Sequence, residues 1–464
     1  MTDVEAPATH RRIALIAGPI VAAAVWFSMT SAGLDSKMAW TAAITALCAV
    51  WWIFEAIPIP ATSLLPLAGL PLFGILTPNQ VGAAYGSPLI LLMLGGFMLS
   101  TAMARSGVHR RLALKMVSLF GGHAGQQLVL GFMVAAAVLS MWISNVATCL
   151  MLLPIALAVC EKLETRRMKV ALMLGIMYGC SIGGVGTPIG TPPNLIFMRV
   201  FEQTTGTAPT FTEWMGWALP IVVIMIPLAA LWLSRGMKKG SKIDLPDPGP
   251  WRAEEIRTLS VFLLTALLWV TRREPFGGWS EWLGLQSAND ASVALLAVIV
   301  MFLVPNGKGE KLLDWDTASS IPWGVLILFG GGVAIASGFS ESGLSVLVGE
   351  GLAGLSTLPI FLVVILMCLG VSFLTEITSN TATTALLMPI LAAGSVAAGI
   401  DPKLLMIPAT ISASFAFMLP VATGPNAIVY GSGMFSVEEM AKEGFILNLI
   451  GAAVISTVLI TLLV

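Results

Sequence analysis

Two short motifs carry the residue types that could do chemistry in this chain, Ser144-Asn145-Val146-Ala147-Thr148 and Ser379-Asn380-Thr381-Ala382-Thr383. Each lies inside a long apolar segment, where hydroxyls and amides are costly unless they find partners. Ser, Asn and Thr are favoured helix N-caps. A helix starting at such a motif aims unpaired backbone N–H groups and a partial positive charge into the protein centre, a geometry that binds a small anion such as carboxylate or sulfate. A second pair, Thr191-Pro192-Pro193-Asn194 and Thr423-Gly424-Pro425-Asn426, interrupts two further apolar stretches. The run from Gly183 to Pro193 holds four glycines and three prolines and cannot stay α-helical. Backbone carbonyls freed there, together with an Asn side-chain carbonyl, are suited to caging Na+. Such breaks also kink packed helices, their hydroxyls bonding back to their own turns. Two breaks in equivalent places, each following a polar tip, favour the ion-binding reading.

These residues must be positioned by a membrane fold. Of 464 residues, 57% are hydrophobic and 11% charged, against about 25% charged in a soluble domain. That excludes a soluble enzyme, a secreted module and a disordered scaffold. Windows of about 20 apolar residues predict eleven spans, near 13–30, 38–56, 57–76, 87–104, 170–198, 214–234, 257–273, 290–305, 322–340, 403–430 and 440–464. The first could instead be a signal peptide, but its apolar run is long and carries Trp26-Phe27 late. Two more apolar segments, about 126–160 and 357–399, are too long for one span and break at the Ser-Asn motifs. Each is expected to enter the bilayer, turn at its polar tip and return, with protein or water around the tip. The expected fold class is an all-α polytopic membrane protein, eleven spans plus two re-entrant hairpins.

Orientation follows the cations. With the N-terminus in the cytoplasm, 19 of the 24 Lys and Arg fall on the cytoplasmic side, in His10–Arg12, Arg105–Lys115, Lys162–Lys169, Arg235–Arg257, Lys308–Lys311 and at Lys442. A polar, Pro-rich stretch from Ile243 to Pro250 reads as a cytoplasmic linker. The expected organisation is a leader and first span (1–36), a first repeat (37–235), the linker (236–256) and a second repeat (257–464).

The halves repeat each other. Ser144 to Pro154 matches Ser379 to Pro389 at six of eleven positions, and the Thr-x-Pro-Asn hexads match at four of six. Asn145 to Asn194 is 49 residues and Asn380 to Asn426 is 46. Gly95-Gly96 and Ser106-Gly107 match Gly331-Gly332 and Ser342-Gly343. Ordered matches at one offset indicate duplication. Five spans separate the hairpins, so the first enters from the cytoplasm and the second from the far side. That is the inverted-topology repeat of secondary transporters, whose site lies at the repeat interface near the midplane; channels are also built this way.

No Lys or Arg is expected near the midplane. Arg199, the nearest, sits close to a span end and is expected to snorkel. A dianion held there without a counter-charge would be heavily penalised, and bound cations could supply it. Glu376 reads either as a proton-coupling group or as a cap for hairpin backbone, and Glu55 as structural. The five cysteines read as buried small hydrophobes, and His10, His109 and His123 assemble no metal site or triad. Nothing points to an enzyme or to a nucleic-acid partner.

The residues resemble the divalent anion/sodium symporter family of dicarboxylate and citrate transporters. The resemblance rests on Trp51-Trp52 with Glu55-Ala56-Ile57-Pro58, on Ile321-Pro322-Trp323-Gly324 with Phe329-Gly330-Gly331-Gly332, and on both Ser-Asn motifs and both breaks. It implies a homodimer in a bacterial-type inner membrane, with a fixed scaffold and an elevator-like transport domain driven by co-transported Na+. Carried over by motif, Ser144, Asn145, Ser379, Asn380 and Thr381 would contact substrate carboxylates, with Thr191 and Thr423 nearby. One Na+ would sit around Asn145 with backbone groups near Ser140 and Gly190. The other would sit around Asn380 with Thr375, Thr378 and Ala422. Val146 stands where the family's first motif normally has Thr, and Gly424 where its second break often has Pro, which leaves the anion open. Na+-coupled uptake of C4-dicarboxylates leads; a Na+-independent dicarboxylate antiporter, carriage of another divalent anion such as sulfate, and an anion channel are the alternatives.

Overall fold

A chain this apolar must satisfy its backbone polar groups internally, and it does so as helices. The computed structural model describes residues 9–120, 125–237, 246–273, 277–352 and 358–464. The first half comprises α1 (Thr9–Ser31), α2 (Ser36–Phe54), α3 (Ile59–Thr62), α4 (Leu64–Leu72), α5 (Pro78–Tyr85), α6 (Pro88–Ser106), α7 (Val108–Leu119), α8 (Gln126–Ser140), α9 (Asn145–Glu161), α10 (Arg166–Gly184), α11 (Pro192–Thr205) and α12 (Phe211–Leu233). The second comprises α13 (Ala253–Val270), α14 (Gly278–Trp282), α15 (Asp290–Leu303), α16 (Trp315–Ser319), α17 (Trp323–Ser342), α18 (Leu344–Leu352), α19 (Ile360–Thr375), α20 (Asn380–Ala397), α21 (Pro402–Ala413), α22 (Gly424–Tyr430) and α23 (Val437–Leu463). Residues 1–8 of the leader, His123, residues 238–245 of the linker and residue 357 lie outside the described residues.

Seven helical segments among the described residues are long and apolar enough to cross a membrane, and five shorter apolar helices accompany them. The expected spans 57–76, 170–198 and 403–430 are each divided. The first splits at Ser63, the others at the Gly/Pro runs between α10 and α11 and between α21 and α22. Leu263, Leu264 and Leu267 on α13 and Leu296, Ile299 and Leu303 on α15 are all more than half exposed. Apolar faces of this kind belong against lipid or another apolar surface.

The two apolar segments around the Ser-Asn motifs form helix–turn–helix units, α8–α9 and α19–α20. Ser144 caps α9 by accepting from the Ala147 N–H at 3.2 Å, and Ser379 caps α20 from Ala382 at 3.5 Å. The matched Ser-Gly pairs are helix terminators. Gly107 ends α6 at φ 74° and Gly343 ends α17 at φ 75°, a left-handed conformation that glycine adopts without strain. Each leads into a short helix, α7 or α18. A 20-residue hydropathy window averages out the face of α7 on which Val108, Leu114 and Val117 are buried, so this helix among the Arg105–Lys115 cations does not stand out as a span. The linker is strapped onto that helix. Buried Arg111 pairs with Glu255 at 2.9 Å and donates to the carbonyls of Pro248, Gly249 and Pro250 at 2.7–3.0 Å.

The halves interlock at the centre. Helix α9 of the first half packs on α22 of the second, and α20 of the second packs on α11 of the first. The first tip also lies against the break of the other half, where the Cys149 thiol reaches the Pro425 carbonyl at 3.7 Å. All five cysteines are buried and unpaired, as expected of small core residues.

Candidate functional site

The interlocking places one cavity, of about 940 Å3, where both tips and both breaks converge. Ser144, Asn145, Thr191, Ser379, Asn380, Thr381 and Thr423 all line it, so the structure brings together every residue expected to touch an anion. The two serines accept from backbone N–H groups with their oxygens and keep their O–H protons free to donate. Thr423 caps the Asn426 N–H at 3.2 Å, whereas Thr191, at the equivalent cap, makes no such bond. With hydroxyls and helix N-termini facing one space, the arrangement can hold a small anion through donors alone.

Asn145 and Asn380 are held alike. The Ser140 hydroxyl lies 2.5 Å from Asn145 Oδ1, and the Thr375 hydroxyl lies 2.6 Å from Asn380 Oδ1. Ser140 and Thr375 are fully buried behind the tips rather than in the cavity wall, and Thr375 also reaches the Ala413 carbonyl at 2.9 Å. Gly190 lies against the carbonyls of Gly184 and Ser140, with no room for a Cβ, and a Cβ on Gly184 would stand 2.6 Å from Asn145 Oδ1. The Ser140 and Gly184 carbonyls thus lie against Gly190 and Asn145 Oδ1 lies beside Gly184, a set of hard donors that fits Na+. In the second half, Gly190's counterpart in the cavity wall is Ala422, beside Thr378. The Thr378 hydroxyl is engaged by Thr383 at 2.6 Å and by the Leu374 carbonyl at 2.9 Å, so its backbone is what it can offer an ion.

Glu376 resolves into a structural cap. Its carboxylate accepts from the N–H groups of Phe417, Met418 and Leu419 at 2.7–3.0 Å and from the Asn448 amide at 2.8 Å. It secures the break between α21 and α22, not the hairpin it belongs to. The first half has no acid there; instead the Thr187 hydroxyl bonds the Met141 carbonyl, Met141 being the repeat partner of Glu376.

Sequence reasoning missed the opposite wall. Arg11, Ile53, Phe54, Glu55, Ile59, Phe97, Ser320, Pro322 and Val325 complete the cavity. Among the described lining residues Arg11 is the one Lys or Arg, and it pairs with Glu55 at 2.9 Å with both side chains about half exposed. The pattern around Glu55 was visible, but nothing in it showed that it faces the tips. Arg199 pairs with Glu202 at 2.7 Å and does not line the cavity.

Comparison with known proteins adds the following. The family described as the sodium:sulfate symporter transmembrane region matches residues 9–463. The sodium-dependent dicarboxylate transporter SdcS of Staphylococcus aureus is 40–41% identical across strains, over 96% of this chain and 89–90% of the relative. Among solved structures, the YdaH transporter of Alcanivorax borkumensis superposes with a TM-score of 0.61 at 16% identity, over 89% of this chain and 97% of that one. MtrF of Neisseria gonorrhoeae, from a class of antimetabolite efflux pumps, gives 0.58 at 13% identity over 85% of each chain. At these identities the two structures speak to the fold alone.

Proposed function

This chain belongs to the sodium:sulfate symporter family, and we propose that it carries C4-dicarboxylates across a bacterial-type inner membrane in symport with Na+. It is an integral membrane transporter and not an enzyme. The observation that carries the proposed substrate class is the cavity itself. Two serine-capped helix starts and two helix breaks face one space, and the one Lys or Arg among its described lining residues, Arg11, is already paired with Glu55. A dicarboxylate brings two separated negative charges, one for each tip, and its desolvation needs positive charge the protein does not supply. Co-bound Na+ at Asn145 with Ser140 and Gly190, and at Asn380 with Thr375, Thr378 and Ala422, supplies it. The names of the S. aureus relatives support both halves of this reading.

The pseudo-symmetry of the tips and breaks supports an inverted-topology repeat with the site at its interface. Arg11 and Glu55, half exposed at the cavity, lie on the side that the cation distribution assigns to the cytoplasm together with the N-terminus. Substrate released there would leave inward. The apolar faces of α13 and α15 support contact with lipid or with a second copy in a homodimer. Movement of the tips and breaks as one body, elevator fashion, fits their mutual packing across the two halves.

Purified protein in liposomes tests this with labelled succinate, malate, citrate and sulfate, with and without an inward Na+ gradient. Succinate and malate uptake should rise with the gradient and exceed that of sulfate. Equal uptake in both conditions would overturn Na+ coupling. Uptake that ignores Na+ and requires internal dicarboxylate would select exchange, and flux that never saturates would select a channel.

A further inference from the structure

Two asparagines that no ligand assignment uses are Asn194 and Asn426, the last residues of the two Thr-x-Pro-Asn motifs. Both are fully buried. Asn194 Nδ2 donates to the Gly184 carbonyl at 3.1 Å and to the Thr187 carbonyl at 2.7 Å. Asn426 Nδ2 donates to the Ala416 carbonyl at 2.9 Å and to the Leu419 carbonyl at 3.0 Å. In each half the amide reaches back ten and seven residues, across the whole break. The residues that receive the bonds differ between the breaks, Gly184 and Thr187 against Ala416 and Leu419, so the common feature is the clasp.

The clasp acts where geometry is otherwise loose. A Gly/Pro break frees carbonyls from the helix ladder, and such groups turn toward whatever partner is near. Asn194 fixes the Gly184 carbonyl, which lies against Gly190, while the α-carbon of Gly184 faces Asn145 Oδ1. Asn426 fixes the Ala416 carbonyl in the loop that Glu376 caps from its other side. In both residues the donor nitrogen is committed, while Oδ1 is buried with no hydrogen-bond partner among the described residues. A clasp serving stability alone would gain nothing from an orphaned acceptor, which is costly to bury.

We propose that Asn194 and Asn426 are positioning residues for the two cation sites, each holding its helix break in the one shape in which the freed carbonyls converge on Na+. This rests on the Na+-symport reading above. Outer partners of this kind commonly change metal affinity by 10–100-fold when removed.

The test uses Asn194→Ala, Asn426→Ala and the double variant in the full chain. Proteoliposomes give the Na+ concentration for half-maximal succinate uptake and the succinate KM at saturating Na+. Detergent-solubilised protein gives the thermal protection conferred by Na+ without substrate. Each single variant should raise half-saturating Na+ roughly tenfold and weaken the Na+ protection in parallel. Succinate KM at saturating Na+ should stay within about twofold, and the double variant should raise half-saturating Na+ further than either single variant. Variants that unfold at lower temperature yet keep the wild-type Na+ dependence would show a structural clasp only and overturn the proposal. A wild type without Na+ dependence would overturn the symport reading and this proposal with it. If an alanine variant fails to fold, Asn194→Ser and Asn426→Ser, whose hydroxyls are too short to span both carbonyls, carry the same comparison.

Discussion

The Cγ2 methyl of Val146 stands 2.5 Å from the point that a Cβ on Gly424 would occupy. Val146 is at the first hairpin tip and Gly424 opens α22 in the other half of the chain. In the repeat their counterparts are Thr381 and Pro192. The two departures from the duplicated pattern are therefore one packing event: residue 146 fills room that residue 424 leaves vacant. Both line the cavity, and Val146 remains 41% exposed there.

Coupling between the two positions is measurable. Gly424→Ala alone should raise the succinate KM several-fold, because the new methyl displaces Val146 and the tip with it. Adding Val146→Ala should recover most of the loss, with a coupling energy of about 1–2 kcal/mol in a double-mutant cycle. Strict additivity would show that the two residues do not share space. Val146→Thr alone restores the hydroxyl present at Thr381 and should shift preference among succinate, malate and citrate; an unchanged profile would mean that position 146 does not select substrate.

Asn145 and Asn380 occupy the junction between the cavity and the hydroxyls of Ser140 and Thr375. Replacing either with alanine removes a candidate anion donor and a candidate cation ligand together. Uptake titrations should show a higher half-saturating Na+ and a higher succinate KM in each variant. A change confined to one ligand would separate the two sites at that residue.

Glu376 accepts hydrogen bonds from four donors as a carboxylate. Glutamine keeps its shape but turns an N–H2 toward backbone N–H donors. Glu376→Gln should cost about 2–4 kcal/mol of stability, visible as a lower melting temperature in detergent, and should depress transport through loss of folded protein. An imposed proton gradient without Na+ should drive no uptake in the wild type. Proton-driven uptake that disappears in Glu376→Gln, with the melting temperature unchanged, would make the residue a proton carrier instead of a cap.

Arg11 is held at the cavity rim by Glu55. Removing the guanidinium should raise KM for a dianion entering from that face by about two- to fivefold at low ionic strength, and by less as salt screens the field. Glu55→Gln frees Arg11 and should act in the opposite direction. Measurements at constant Na+ with ionic strength set by choline chloride make the comparison; salt-independent effects would rule out an electrostatic role.

Much of this molecule was legible before its structure. Hydropathy over 20-residue windows reports helix formation in lipid. The Ser caps and the Gly/Pro runs act on their own few residues, so the tips at Ser144 and Ser379 and the breaks before Asn194 and Asn426 could be located from local chemistry. The matched motifs share hydrogen-bond registers at the two Ser caps, at Asn145 and Asn380 and at Asn194 and Asn426, but not at Thr191 and Thr423. Less was legible where the partner lies far away in the chain. Glu376 carried two readings because its partners at 417–419 and 448 are unknowable from its neighbours. The helix α7 escaped notice because its apolar face is shorter than a membrane span.

By itself the sequence determined a helical membrane protein with two polar tips, two broken helices and almost no charge between them, since each depends on composition and backbone propensity within a turn or two. Only the tertiary structure decided how the two halves pack on each other. It crossed α9 onto α22 and α20 onto α11, put Arg11, Glu55 and Phe97 opposite the tips, and turned Val146 and Gly424 into one contact. The physical reason is that such pairings are chosen by complementary packing between segments hundreds of residues apart, and no local rule of propensity, capping or hydropathy carries that information.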